Sequence, residues 1–198
     1  MPLRAISASV RPWARVLLVG PPGSALIAEI SERLLDFVDD GVDLSFRVAP
    51  PEQPNLVTRT LLRYRHRLLA APGYVAANPL PRAAAELKDH KTIGFGFHSS
   101  YEVNWSLSRQ GRTDEIRFEP HLTINDYDAI RAAVLAGHGI GELPEPLCRD
   151  ALLTGQLVEV LPEWSFPEIK LFAVHAGNAS LSKLARLFLD TVIARLKR

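Results

Sequence analysis

An α/β chain of two lobes follows from three features of the sequence. Residues 3–48 and 119–161 each read as alternating strands and helices, an antiparallel hairpin pattern lies between them, and a strand and helix close the chain at 169–196. Alternating strands and helices favour parallel pairing with right-handed crossovers, and a hairpin interrupts that pattern. Strand–helix units on both sides of a hairpin-bearing segment, with extended crossings near Arg65 and Ile169, give lobe 1 as residues 1–65 with 169–198 and lobe 2 as 66–168. The last strand and helix rejoin the first lobe.

The elements follow from the local residues. Residues 3–8 read as a strand with a polar end at Ser7 and Ser9, and residues 12–19 as a short helix. Gly20-Pro21-Pro22-Gly23 stops that helix, because proline has no N–H and clashes with the preceding turn. A second strand at 25–30 leads to Ser31, a helix cap before Leu34, Leu35 and Val38, and a third strand spans 42–48. Pro50-Pro51-Glu52-Gln53-Pro54 marks a loop. Residues 56–62 and 66–71 are extended around Arg63-Tyr64-Arg65 and pass from one lobe to the other. Short helices at 72–76 and 81–87 precede a strand at 91–97, which ends in the polar loop His98-Ser99-Ser100. Residues 105–109 and 115–121 form a hairpin around a five-residue loop, 110–114.

The most clearly punctuated stretch is 119–161. Asn125 or Asp126 can accept hydrogen bonds from the free N–H groups of a helix beginning at Tyr127. Ile130, Ala133, Val134 and Gly137 then recur at helical spacing, and Gly137 supplies the left-handed conformation that ends a helix. Gly139-Ile140-Gly141 leaves a strand nearly bare on one face, so another strand, a helix or a ligand must approach it closely. Pro144 and Pro146 suit the start of a second helix with Leu147, Ala151 and Leu152 inward. Gly155 ends it before a strand at 157–161. The closing helix, 181–196, places Leu184, Leu187, Phe188, Thr191 and Val192 on one side.

Composition excludes several classes. Of 198 residues, 47% are hydrophobic and 23% charged, ordinary values for a globular protein and not for a disordered one. Lys and Arg number 23 against 22 Asp and Glu, so the chain has no basic excess for binding a phosphate backbone. The single cysteine, Cys148, rules out an internal disulfide and reads as a packed thiol in a reducing compartment. No run reaches the roughly eighteen apolar residues of a membrane span, and the N-terminus lacks a signal-peptide core, which implies the cytoplasm. The six histidines are scattered singly without metal-ligand spacing, so no metal is expected. Gly137, Gly139 and Gly141 follow a helix instead of joining a strand to one, so they do not form a nucleotide loop.

Ordered segments carry a further likeness. D-F-V-D-D-G-V-D-L-S-F-R-V from Asp36, L-V-T-R-T-L from Leu56, L-L-A-A-P-G-Y-V from Leu68 and A-A-E-L-K-D-H from Ala84 come first. N-D at Asn125, A-G-H-G-I-G-E-L-P from Ala136, G-Q-L-V-E-V-L-P-E-W from Gly155 and F-L-D from Phe188 follow in order. In succession and spacing they resemble the effector-binding domain of LysR-type transcriptional regulators. The resemblance implies a type 2 periplasmic-binding-protein-like fold, two α/β lobes with a small-molecule effector between them, and no cofactor. It also implies a homodimer or higher oligomer through these domains, and DNA contact only through a winged helix-turn-helix that lies outside this sequence. The family's linker helix is likewise absent, and its first effector-domain helix is short here, at 12–19.

Carried over residue by residue, the resemblance implies effector contacts from Ser7 and Ser9, from Phe97, His98, Ser99 and Ser100, and from Thr123, Asn125 and Asp126. Hydroxyls and helix-start N–H groups suit a carboxylate, and a ring can cover an apolar body. Arg47, ending the third strand, suits an anionic effector or a surface charge beside Asp43 and Glu52. Asn125 or Asp126 serves equally as a plain helix cap. Two other functions fit the same scaffold: a stand-alone receptor or modulator of full-length regulators, and an enzyme. The enzyme would need Asp126, Glu142 or His98 to have a catalytic partner, and none is identifiable in sequence, so no catalytic residue is assigned.

Overall fold

The computed structural model describes residues 6–8, 28–30, 42–50, 56–96, 102–176 and 181–196. The expected helices at 12–19 and 31–39, the 20–23 block, most of the proline loop, and Ser9, Trp13 and residues 97–100 lie outside them. In chain order the strands are β1 (Ile6–Ala8), β2 (Ala28–Ile30), β3 (Leu44–Arg47), β4 (Leu56–Tyr64), β5 (His66–Ala70) and β6 (Thr92–Phe95). They continue with β7 (Val103–Arg109), β8 (Arg112–Phe118), β9 (Leu122–Ile124), β10 (Ile140–Pro144), β11 (Val158–Glu159) and β12 (Ile169–Ala176). Helices are α1 (Pro72–Ala77), α2 (Tyr127–Leu135), α3 (Glu145–Leu153) and α4 (Lys183–Leu196), with a 3₁₀ helix at Ala84–Asp89. The chain divides into two compact units, residues 1–63 with 169–198 and residues 64–168.

The first unit holds a five-stranded sheet in the order β2-β1-β3-β12-β4. β1 pairs in parallel with both β2 and β3, placing Ser7 opposite Glu29 and Ser45. β12 runs antiparallel to β3, with Phe172 opposite Arg47. α4 belongs to this unit, and Phe188 meets Phe46 edge-on at 6.0 Å between ring centroids. Ser182 caps α4 by accepting from the Ala185 N–H. Ala185 and Leu189 are its buried residues and Leu187 is exposed. The buried stripe is therefore turned from the expected one, because the helix packs through small Ala185 and lets the sheet approach.

The second unit holds a sheet in the order β11-β5-β10-β6-β9 and a separate ribbon of β7 and β8. β6 is parallel to both β9 and β10, whereas β5 is antiparallel to β10. Alternate residues of a strand face opposite sides of a sheet. Leu68, Ala70 and Ile140 accordingly join Tyr74, Leu87, Trp105, Phe118 and Phe166 in one core. Leu69, Ile93 and Leu143 face Ile130 and Val134 of α2 and Cys148 and Ala151 of α3 in the other. Each such fully buried aliphatic side chain contributes about 1.5–3 kcal/mol.

The ribbon is tighter than expected. Arg109 pairs with Arg112, so the turn is Gln110-Gly111 alone, with both residues at positive φ, 49° and 81°. That two-residue geometry matches the right-handed twist of paired strands, and it extends β8 toward the turn. Other differences are smaller. Residues 81–87 give a 3₁₀ helix displaced to Ala84–Asp89, and the 157–161 strand shortens to Val158–Glu159. Leu161 leaves the strand at φ 52°, which ends the pairing.

The bare strand face of β10 is explained by its neighbours. A Cβ on Gly141 would lie 2.6 Å from Val134 Cγ2 and 3.3 Å from Ile130 Cγ2, so α2 occupies that face. A Cβ on Gly139 would collide with the Lys91 carbonyl oxygen. A helix and a backbone turn make the close approach. Among the described residues, no helix is long and apolar enough to cross a membrane.

Candidate functional site

The parallel strands of the second unit end together, and their carboxyl ends gather polar and aromatic side chains. In open α/β sheets, ligands bind outside the carboxyl ends of parallel strands, where loops and helix starts leave free backbone groups. Here β6 ends at Phe95, β9 at Ile124 and β10 at Pro144, and the Gly96 N–H donates to the Ile124 carbonyl at 3.2 Å. β5, being antiparallel, begins at the same edge, with His66 opposite Pro144. α2 starts three residues after β9. Its cap is Asp126, whose Oδ1 accepts from the Ala129 N–H at 2.9 Å, which leaves Asn125 exposed.

Glu142 is the only buried acidic or basic residue among those described. All five residues of β10 are buried, so this carboxylate needs partners. Two are present. The Tyr127 hydroxyl donates to Oε1 at 3.2 Å, and His66 Nδ1 lies 3.4 Å from Oε2. Tyr127 Oη and His66 Nδ1 are themselves 3.4 Å apart, closing a three-membered network. Burial, and then the Glu142 charge, push the Tyr127 phenol far above its ordinary pKa, which favours the protonated, donating form.

Rings enclose the network. Phe95 stacks on Tyr127 at 4.6 Å, His66 meets Tyr127 edge-on at 5.0 Å, Tyr64 stacks on His66 at 5.9 Å, and Phe166 lies 6.1 Å from His66. Burial pushes the Tyr64 phenol up to about 12. The edge thus offers flat apolar surface, fixed hydrogen-bond groups and the amino end of a helix. Cys148 is buried in the core against α2, and burial pushes its thiol up to about 11, so this cysteine is not an activated nucleophile.

The candidate residues from sequence fall in three places. Thr123, Asn125 and Asp126 stand at this edge, Thr123 exposed on β9 and Asp126 half-buried at the start of α2. Phe97, His98, Ser99 and Ser100 continue the chain one residue beyond Gly96 and lie outside the described residues, as does Ser9. Ser7 and Arg47 are in the first unit, Ser7 at the middle of β1 and Arg47 half-buried at the end of β3. His66, Tyr127, Tyr64 and Phe166 escaped the sequence reading. One signal pointed to them: a glutamate in the strand I-G-E-L-P, otherwise apolar, must have buried partners. Among the described residues no group of three or more His, Cys, Asp or Glu could hold a metal ion.

Comparison with known proteins agrees with this architecture. The family model described as LysR substrate binding domain matches residues 24–197. A probable HTH-type transcriptional regulator LtrA of Klebsiella pneumoniae is 31% identical over 165 residues, covering 81% of this chain and 53% of the relative. The chain spans about half the length of the curated relatives it matches. Among solved structures, the regulatory domain of AphB from Vibrio vulnificus superposes with a TM-score of 0.69 at 30% identity, covering 85% of this chain and 83% of that one. The regulatory domain of CrgA, a LysR-type transcriptional regulator from Neisseria meningitidis, gives 0.74 at 27% identity, covering 88% and 85%. The fold class is therefore the type 2 periplasmic-binding-protein-like α/β fold. The matched family is one of regulatory domains of transcriptional regulators, which is not an enzyme class: the chain belongs to the LysR substrate-binding-domain family.

Proposed function

We propose that this chain senses a small-molecule effector for a LysR-type transcriptional regulator and that the carboxyl edge of β6, β9 and β10 is its contact surface in the second unit. The observation that carries the reading is the convergence there of three strand ends, the Asp126-capped start of α2, and the aromatic cage around Glu142. The lobes are drawn at residues 1–65 with 169–198 and at 66–168, with the effector between them. Thr123, Asn125, Asp126 and the 97–100 loop serve it from one lobe, and Ser7, Ser9 and Arg47 from the other. An anionic effector suits Arg47 and the free N–H groups of the α2 start.

Binding can shift the protein between two arrangements only by as much as its affinity for them differs. In the parent regulator that shift passes through an oligomer of these domains to helix-turn-helix domains on DNA, in the cytoplasm. A thermal-shift screen of the purified chain against small carboxylates, aromatic acids, amino acids and sugars tests the reading. A ligand at about 100 times its dissociation constant adds roughly 2.7 kcal/mol, or on the order of 5–10 °C in a chain this size. Cooperative melting that no compound class raises would overturn it.

A further inference from the structure

The opposite edge of the same sheet carries a second set of functional groups. Lys91 directly precedes β6, His121 directly precedes β9, and His138 stands two residues before β10. β10, β6 and β9 are adjacent and parallel, so three basic residues meet at their amino ends. A strand of four residues separates this edge from the carboxyl edge by about 13 Å. The surface between the three residues is concave. A cavity of about 770 Å³ is lined by Tyr74, Asn78, Lys91, His121, His138 and Gln156 among others, and by no Asp or Glu. That volume lies within the range of small-molecule sites.

The cations are free and their backbone is fixed. Lys91, His121 and His138 are exposed, and among the described residues none has a carboxylate partner. The Lys91 N–H donates to the Tyr74 hydroxyl at 3.2 Å, and the Lys91 carbonyl accepts from the Ile140 N–H at 2.8 Å. The end of α2 closes through Gly137 N–H to the Val134 carbonyl at 2.9 Å and His138 N–H to the Ala133 carbonyl at 3.1 Å. Those carbonyls are occupied, which reduces the negative character that a helix end would otherwise direct toward the cavity. Basic residues held at one rim without counter-charges form an unneutralised positive field.

We propose that this cavity is an anion site, separate from the carboxyl edge, for a small multiply charged oxyanion carrying phosphate or carboxylate groups. Lys91 supplies a permanent charge. Asn78 and Gln156 supply neutral amide donors, and His121 and His138 supply imidazole N–H donors. Tyr74 is the other titratable group of the lining, with His90 hydrogen-bonded behind its hydroxyl at 3.3 Å. Burial raises the Tyr74 phenol, so it stays neutral and adds no opposing charge.

The test titrates the whole chain with inorganic phosphate and, separately, with citrate, following histidine ring signals by NMR. Sodium chloride at matched ionic strength is the control. The expected result is saturable binding of at least one oxyanion, with the His121 and His138 signals moving together. Lys91→Met should weaken it about ten-fold, as loss of a charge-assisted hydrogen bond requires, while Lys91→Arg retains it. The preferred oxyanion identifies the ligand group. No saturable change with either oxyanion up to about 10 mM, a change that chloride reproduces, or a Lys91→Met protein with unaltered affinity would overturn the proposal. Its outcome is independent of the effector reading, because the screen for carboxyl-edge ligands can be repeated on Lys91→Met.

Discussion

Replacing Tyr127 by Phe removes one oxygen atom and keeps the ring that stacks on Phe95 at 4.6 Å. What is lost is the 3.2 Å hydrogen bond to Glu142, leaving that buried carboxylate with His66 at 3.4 Å as its partner among the described residues. A hydrogen bond to a charged group contributes about 1.5–3 kcal/mol, and a buried acceptor left short of donors adds its desolvation cost. The expected loss is about 2 kcal/mol. For a chain of this size that lowers Tm by about 4–8 °C. Urea unfolding followed by tryptophan fluorescence in a Trp13→Phe background reads the loss in the right unit, since the other two of the three tryptophans, Trp105 and Trp164, lie in the second one. In a Glu142→Gln background the same substitution should cost about 1 kcal/mol or less, a coupling that a double-mutant cycle isolates. Equal losses in both backgrounds, or a loss under about 0.5 kcal/mol in the wild type, would refute the claim that the pair acts as a unit.

Other substitutions test separate parts of the fold. Gly139→Ala and Gly141→Ala each overpack β10, by about 1–3 kcal/mol. Gly139→Ala should be the worse of the two, because its obstacle is the Lys91 backbone and not a movable side chain; equal Tm values for mutant and wild type would remove the close-approach argument. Asp126→Ala costs about 1 kcal/mol as a lost cap, and if it also lowers the affinity of a ligand found in the screen, Asp126 serves both purposes. At alkaline pH the sign follows from raised folded values. Thiol and phenol are neutral when protonated, so the stability tied to Cys148 is complete below the ordinary thiol value of 9.0 and is lost as pH rises toward about 11. That tied to Tyr64 is lost between the ordinary phenol value of 10.0 and about 12. Denaturant midpoints should therefore fall from about pH 9 upward, and Cys148 in the native chain should resist thiol reagents at about pH 8. Prompt stoichiometric labelling would show that the thiol is not packed.

Sequence reading reached furthest where backbone chemistry decides the outcome. Asp126 caps α2 because a short acceptor preceding a helical stripe has few other uses, and Gly137 takes φ 78° at its end as the helix stop requires. The need for something close to Gly139 and Gly141 was legible, but its identity was not, since Lys91 is 48 residues before Gly139 and only the β6–β10 pairing brings them together. The same limit hid the network at the carboxyl edge. His66 and Glu142 are 76 positions apart, and no local pattern records that β5 and β10 will be neighbours. Leu187 was misplaced for a related reason: helical spacing defines a stripe, and the sheet beneath decides which edge of it is covered. Trp105 shows the converse. Alternation put it on a strand of the hairpin, and its place, 1% exposed between Phe118 and Phe166, came from the core.

The position of β12 has a consequence for how the chain is made. β12 lies between β3 and β4 in the interior of the first sheet, although it is the last strand synthesised. As the chain leaves the ribosome, residues 64–168 are complete and contiguous while the first sheet still lacks an inner strand. At roughly 5–20 residues per second, β4 waits several seconds for the partner that joins it to β3. The second unit is therefore complete in sequence before the first, whose sheet can close only when residues 169–176 arrive. A chain ending before Ile169 would contain every residue of the second unit and leave the first sheet with an open β-edge, exposed to pairing with the wrong chain.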